Sequence, residues 1–379
     1  MLRRILWRGF APAVAVALWA SLAGAQTLVR PALPRDADPN DWGAYFDRGV
    51  ELLPRDAAAA DALFRWASRL EPSRPEPLYG RWVAFHLRDI RRFERYLLDD
   101  QRVLRNPAVI AADSLQAESL MRNPFVHRGL IALAYDQLPG RWGDDAYTRA
   151  FLAYARADLP RAARDLELVV RGSPRDVRAR HHLALTLVNL RRYGEARVQL
   201  DSVLSALRRR EEQRVTATYE SKELLLYGIG MLQLVQRQHD AARETFAQAV
   251  LEDASQWYVH RGLGLALVAA GRADEAVGVY RTALELREDE PILLKEYAEA
   301  LSAARRYPEA VEQLSRLVRL APDWAEAWRA LGNENVRLGR KTEAAEAFTA
   351  YLVRAPRSDA AAAARIRAQV EQLRAAAPE

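Results

Sequence analysis

One spacing governs this chain. Gly230, Gly264, Ala298 and Gly332 follow one another at steps of 34 residues, and so do Ala242, Ala276, Ala310 and Ala344. Phe246, Tyr280, Leu314 and Phe348 keep the same step, as do Ala249, Ala283, Leu317 and Tyr351, the last a change to a larger side chain. A period of this length over the contiguous units 223–256, 257–290, 291–324 and 325–358 specifies a stack of like elements. Within each unit apolar residues recur at helical spacing, which predicts two helices of about three to four turns. The small residue of the first helix lets the second approach, and Ala242 and its equivalents do the same from the other side. The large residue four positions on, such as Phe246 or Phe348, fills the space between successive pairs. Ala270-Gly271-Arg272 and Leu338-Gly339-Arg340 make the turns between helices. Pro322 and Pro356 follow second helices and stop them.

The last unit carries Trp328, Leu331, Gly332, Ala344, Phe348 and Pro356 at spacings that resemble the tetratricopeptide repeat family. Tyr351 stands where a small residue is usual there, and Asn335 where Tyr is usual. The resemblance implies an all-α fold, a right-handed α-solenoid of tetratricopeptide-like helical hairpins. Upstream, Ala162 to Ala196, Leu166 to Leu200 and Val169 to Val203 are again steps of 34, giving two repeats over 143–210. An insertion at 211–222 then separates them from the four units of 223–358, and can lengthen two helices or form a loop. Ala60, Phe64, Ala67 and Pro72 place another repeat at 41–74, with a first helix around Tyr45 to Leu53 that is one residue short. Residues 75–142 have the length of two repeats, but Glu94 and Arg128 fall in the small slots, so they read as divergent helical pairs. Residues 359–379 read as an Ala-rich capping helix and a tail, since the end of a solenoid needs a polar outer face.

The amino terminus reads as an address. Arg3, Arg4 and Arg8 precede an apolar run from Phe10 to Leu22, which ends at Ala23-Gly24-Ala25; this is the pattern of a secretory signal peptide over 1–25. The run is too short to span a bilayer comfortably, so no membrane span is expected in the mature chain. Residues 26–40, with Pro31, Pro34 and Pro39, read as a linker. The basic residues number 56, and Lys222, Lys295 and Lys341 are the only lysines. This bias toward Arg suggests a GC-rich bacterial gene, hence export to the periplasm, or alternatively beyond the cell. Three arginines leave with the signal, so the mature chain is nearly neutral and carries no nucleic-acid footprint.

Catalytic chemistry finds little support. The chain has no cysteine, which excludes disulfides, thiolate nucleophiles and cysteine metal sites. His181 and His182 are adjacent and point about 100° apart on a helix, without a second ligand pair, so no metal or cofactor is expected. Gly262-Leu263-Gly264 lies inside a helical period and is no phosphate loop. Pro139-Gly140-Arg141-Trp142-Gly143 is the oddest loop. An enzyme would need an unrecognised site in 75–142.

What remains is a surface. In the tetratricopeptide family the first helices line a concave groove that often holds a peptide. Carried over at repeat spacing, that groove column reads Tyr147, His181, Tyr227, Arg261, Lys295 and Arg329, with Tyr258 beside it. Leu224, Met231, Leu234, Leu265 and Val268 make its centre apolar. These side chains imply a protein or peptide partner, an apolar segment with acidic residues opposite Arg261. The chain's own inserted segment and a second copy of the chain are the competing ways to cover the patch. Arg329 and Asn333 imitate half of the family's carboxylate clamp, but Ala360–Ala364 cannot supply the rest. The expected function is an exported non-catalytic scaffold; the alternative is a structural subunit of a cell-envelope assembly.

Overall fold

The computed structural model describes residues 29–74 except 54, residues 76, 77, 80, 81 and 84, and then 146–155, 158–212 and 222–375. The fragment 139–143 and most of 75–142 lie outside the described residues, as does the signal segment. Every regular element among the described residues is a helix. In chain order they are α1 (Trp42–Leu52), α2 (Ala57–Leu70), α3 (Ala146–Ala155), α4 (Leu159–Gly172), α5 (Val177–Asn189) and α6 (Tyr193–Glu212). Then come α7 (Lys222–Val235), α8 (His239–Glu252), α9 (Trp257–Ala269), α10 (Ala273–Leu286), α11 (Pro291–Ala303) and α12 (Tyr307–Leu320). The last are α13 (Ala325–Arg337), α14 (Lys341–Arg354) and α15 (Ala360–Ala375). Among the described residues, α1 packs on α2, and from α3 to α15 each helix packs on the next, pair upon pair, so the fold is an α-solenoid.

The small columns work by admitting rings. A Cβ on Gly264 would stand 2.7 Å from the Tyr280 ring, and one on Gly332 would stand 2.4 Å from Phe348. Phe246 is wedged between repeats: a Cβ on Gly230 of its own pair or on Gly262 of the next would collide with it. Phe64 sits in the same way between Gly49 and Gly80. Phe64 lies 15 residues after its glycine where Phe246 lies 16 after Gly230, which is the missing residue of the first unit; α1 has 11 residues where α9, α11 and α13 have 13. The register also runs past Pro72. Gly80 and Ala84 meet Phe64 at the spacing with which Gly262 and Ala266 meet Phe246.

The turn inside each of the five pairs from α5–α6 to α13–α14 has one left-handed residue at one position. It is Gly271 or Gly339 where φ is +75° or +71°, and Arg191, Arg237 or Arg305 where φ is 58–60°. The next backbone N–H reaches back five residues, as Arg272 N to Leu267 O and Arg306 N to Leu301 O do, closing the end of the first helix. The following Arg forms a two-bond pair with the Glu three residues on: Arg192 with Glu195, Arg272 with Glu275 and Arg306 with Glu309. Those hydrogen bonds hold Glu195 and Glu309 below the usual carboxylate range. Loops between pairs are pinned too. His260 Nε2 donates to Ala254 O at 2.8 Å, and Trp328 Nε1 to Pro322 O at 2.8 Å, one position in two repeats.

The extra residues before α7 find part of their place in α6, which runs for 20 residues where α8, α10 and α12 run for 14. Tyr351 is fully buried and packs with Ile366 and Val370 of α15. The last pair is covered by a single helix, and the larger ring fills what a further pair would have occupied. Asn335 is buried as well, its Nδ2 donating to Leu331 O one turn earlier.

Candidate functional site: the face of the first helices

Successive first helices α7, α9 and α11 approach one another across repeats more closely than successive second helices do. In a curved stack the closer set lies on the inside, so the first helices form the inner face. Leu224, Tyr227, Met231, Leu234, Tyr258, Leu265 and Val268 on α7 and α9 are all half-buried there. Their register explains this: each is displaced from the fully buried stripe of Leu226, Ile229 and Val259.

The structure brings Tyr227, Tyr258 and Arg261 together. The two tyrosine rings meet edge to face with centroids 5.4 Å apart, and Tyr227 also leans on Phe246 at 5.7 Å. Arg261 donates from Nη1 to the Tyr227 hydroxyl at 3.2 Å. It also donates from Nε and Nη2 to both oxygens of Glu296, at 2.9 and 2.7 Å. The sequence reading sets acidic residues of a partner opposite Arg261, but the carboxylate that Arg261 holds in two bonds belongs to the next first helix of the same chain. Burial works to lower the pKa of this guanidinium, but Tyr227 and Glu296 outweigh it and raise it above the ordinary value. Burial, helped by the Glu296 charge, likewise raises the Tyr280 phenol.

The remaining candidates are placed one by one. Tyr147 bonds through its hydroxyl to Nδ1 of His182, and their rings lie 5.6 Å apart. His181 stacks flat against His182 at 6.1 Å, and burial lowers its pKa. Lys295 is paired on its own helix with Glu299. Arg329 is paired in two bonds with Glu326, which raises its pKa. So the three cations of the column each hold a carboxylate of this chain already.

Two members of the site escaped the sequence reading. Glu223 is buried and accepts from the Tyr258 hydroxyl at 3.1 Å; Glu296 is buried under Arg261. Their signal is a spacing of 35, one more than the repeat: Glu223 with Tyr258, Arg261 with Glu296, and likewise Tyr147 with His182 and Tyr154 with Asn189. A residue on one first helix reaches the neighbour of its own equivalent on the next. These bonds form a polar ladder that ties the inner face together across repeats. Among the described residues no group of three or more His, Cys, Asp or Glu could hold a metal ion.

Two models of the tetratricopeptide repeat match the chain, over residues 227–291 and 267–333. Residues 227–333 are tetratricopeptide repeats. The matched stretch includes Tyr227, Tyr258, Arg261, Lys295 and Arg329. The repeats are also similar to part of the Hsp70-Hsp90 organizing protein of Triticum aestivum, at 32% identity over 96 residues. That match takes in 25% of this chain and 16% of the relative. Among solved structures, YrrB, described as a TPR protein with an unusual peptide-binding site, aligns at 18% identity with a TM-score of 0.41. It covers 51% of this chain and 94% of its own. MamA from Desulfovibrio magneticus RS-1 aligns at 19% identity with a TM-score of 0.41, covering 47% of this chain and 96% of its own. Tetratricopeptide repeats are scaffolds suited to protein binding, and among the described residues no helix is long and apolar enough to cross a membrane.

Proposed function

We propose that this protein is an exported, non-catalytic scaffold that holds a segment of another protein on the inner face of its tetratricopeptide repeats. The observation that carries the reading is the half-buried group of Tyr227, Tyr258, Met231 and Leu265 on two adjacent first helices. Large aromatic side chains typically dominate interface energy. Arg261, Lys295 and Arg329 are already paired, so affinity comes from apolar side chains of the partner, and acidic ones add less than their column suggests. Polar backbone groups of an extended or helical segment can meet the exposed Glu299 and Asn333 farther along. Export is proposed from the tripartite pattern of residues 1–25, with the periplasm as the proposed compartment and the exterior of the cell as the alternative.

The test begins with the full-length chain immobilised and exposed to native envelope extract. Leu265→Lys puts a charge into the centre of the face and breaks no internal hydrogen bond. It is expected to weaken retention of the main captured protein by about tenfold or more, as loss of an interface anchor does. Tyr258→Phe keeps the ring and is expected to retain it. Unchanged capture by Leu265→Lys would count against the groove. Amino-terminal sequencing of the exported protein is expected to begin at Gln26; a start at Met1 would remove the signal peptide from the account.

A further inference from the structure

The first and last units of the solenoid touch. Asn40 donates from Nδ2 to Val353 O at 3.0 Å and to Ala355 O at 3.4 Å, which caps carbonyls at the carboxyl end of α14. Asp38 accepts from the Arg357 backbone N–H, and Arg357 Nη1 donates to Asp36 O at 3.4 Å. Arg69, in the last turn of α2, donates from Nε and Nη2 to Asp323 at 2.9 and 2.6 Å, in the loop between α12 and α13. The same guanidinium lies 4.9 Å over the Trp66 ring, and Arg30 stands 5.4 Å from that ring. Residues 36–40 and α2 thus present a surface that is held from within.

The joint is polar. The apolar cluster of Tyr45, Leu63, Trp66 and Ala67 gains no member from the carboxyl-terminal repeats. The cluster of Phe348, Tyr351, Ile366 and Val370 gains none from residues 29–74. Both partners of the ion pair keep part of their side-chain surface in solvent. Partly exposed pairs add little net stability and are screened by salt, and small polar contacts between units of one chain allow relative motion. We infer that the contact is an electrostatic clasp between the first and last units, which opens and closes and so sets how far the inner face can spread. With the ends joined, the curvature of the intervening repeats is fixed. With the ends parted, that constraint is lost, and the apolar cores shared by successive pairs alone set the curvature.

The absence of cysteine makes the test direct. Val50 on α1 and Ala364 on α15 are exposed and lie outside the contact. The pair Val50→Cys and Ala364→Cys, in the full chain, takes two spin labels, and the distance distribution between them is recorded. A short-distance population is expected in 0.1 M salt. It should fall at least threefold in 1 M salt, where the Debye length shrinks from about 10 Å to about 3 Å. Arg69→Glu should produce a similar fall in low salt, and adding Asp323→Arg should restore the short distance. Helical circular dichroism should be the same in all of these. A short distance that survives both 1 M salt and Arg69→Glu would overturn the ionic clasp, and a long distance under every condition would overturn the contact itself.

Discussion

Arg261 is tied into the inner face by three hydrogen bonds, and its role is structural before it is anything else. It joins three first helices, through Tyr227 on α7 and Glu296 on α11. Removing one partner of a buried pair strands the other, so Glu296→Ala should cost about 3 kcal/mol. The double change Arg261→Met with Glu296→Leu should cost much less than the two single changes summed. Local hydrogen exchange in α9 and α11 measures both. The left-handed arginines invite the opposite experiment. Arg305 occupies the slot that Gly271 and Gly339 fill, so Arg305→Gly should stabilise its pair by about 0.5–1 kcal/mol through relief of backbone strain. A loss of protection in α11 and α12 would show that the arginine side chain does more than its backbone costs. His181 supplies a pH dependence. Burial lowers its folded value below 6.5, so between that folded value and 6.5 the unfolded chain binds more protons. Stability at α5 should then drop as the pH falls through 6.5, and His181→Gln should flatten that slope in exchange rates measured between about pH 7.5 and 5.5.

At the level of helices, the glycine column was legible because a side chain cannot share space with an aromatic ring. Gly264→Leu forces the Tyr280 ring aside, an overpacking cost of about 1–3 kcal/mol. Solenoid stability is roughly a sum of neighbour terms, so exchange protection should fall in α9 and α10 and hold in α1 and α2. Equal loss in both places would contradict a stack of local units. The repeat register, the short α1 and the role of Pro322 could all be read from spacing, because each follows from backbone geometry and volume. The polar ladder could not. Glu223 and Glu296 look like any surface acid in a chain with 28% charged residues. Only the offset of 35 separates them, and that offset depends on how far each pair is turned against the last. Gly80 and Ala84 were hidden for another reason: the second-helix slots at Glu94 and Arg128 broke the pattern and masked a first-helix slot that keeps it.

Across the whole molecule, the face proposed to bind and the joint proposed to close are different surfaces made of different chemistry. The inner face of α7 and α9 is apolar with its charges paired, while the contact between the first and last units is hydrogen bonds and one ion pair. The amino-terminal contacts with residues 353–357 could not be foreseen from a repeat period, which gives the step between neighbours and says nothing of two units hundreds of residues apart. The column of cations was visible in the sequence, but their internal carboxylates were not. That changes the expected partner from an apolar segment with acidic residues beside it to one led by its apolar side chains. The account therefore turns on which surface meets that partner. A photo-crosslinking amino acid at Leu265, on the inner face, can be compared in living cells with the same residue at Leu251, which is 86% exposed on the second helix α8. The account predicts a covalent adduct with one protein from position 265 and none from position 251; an adduct from 251 alone would place the partner on the outer helices and contradict it.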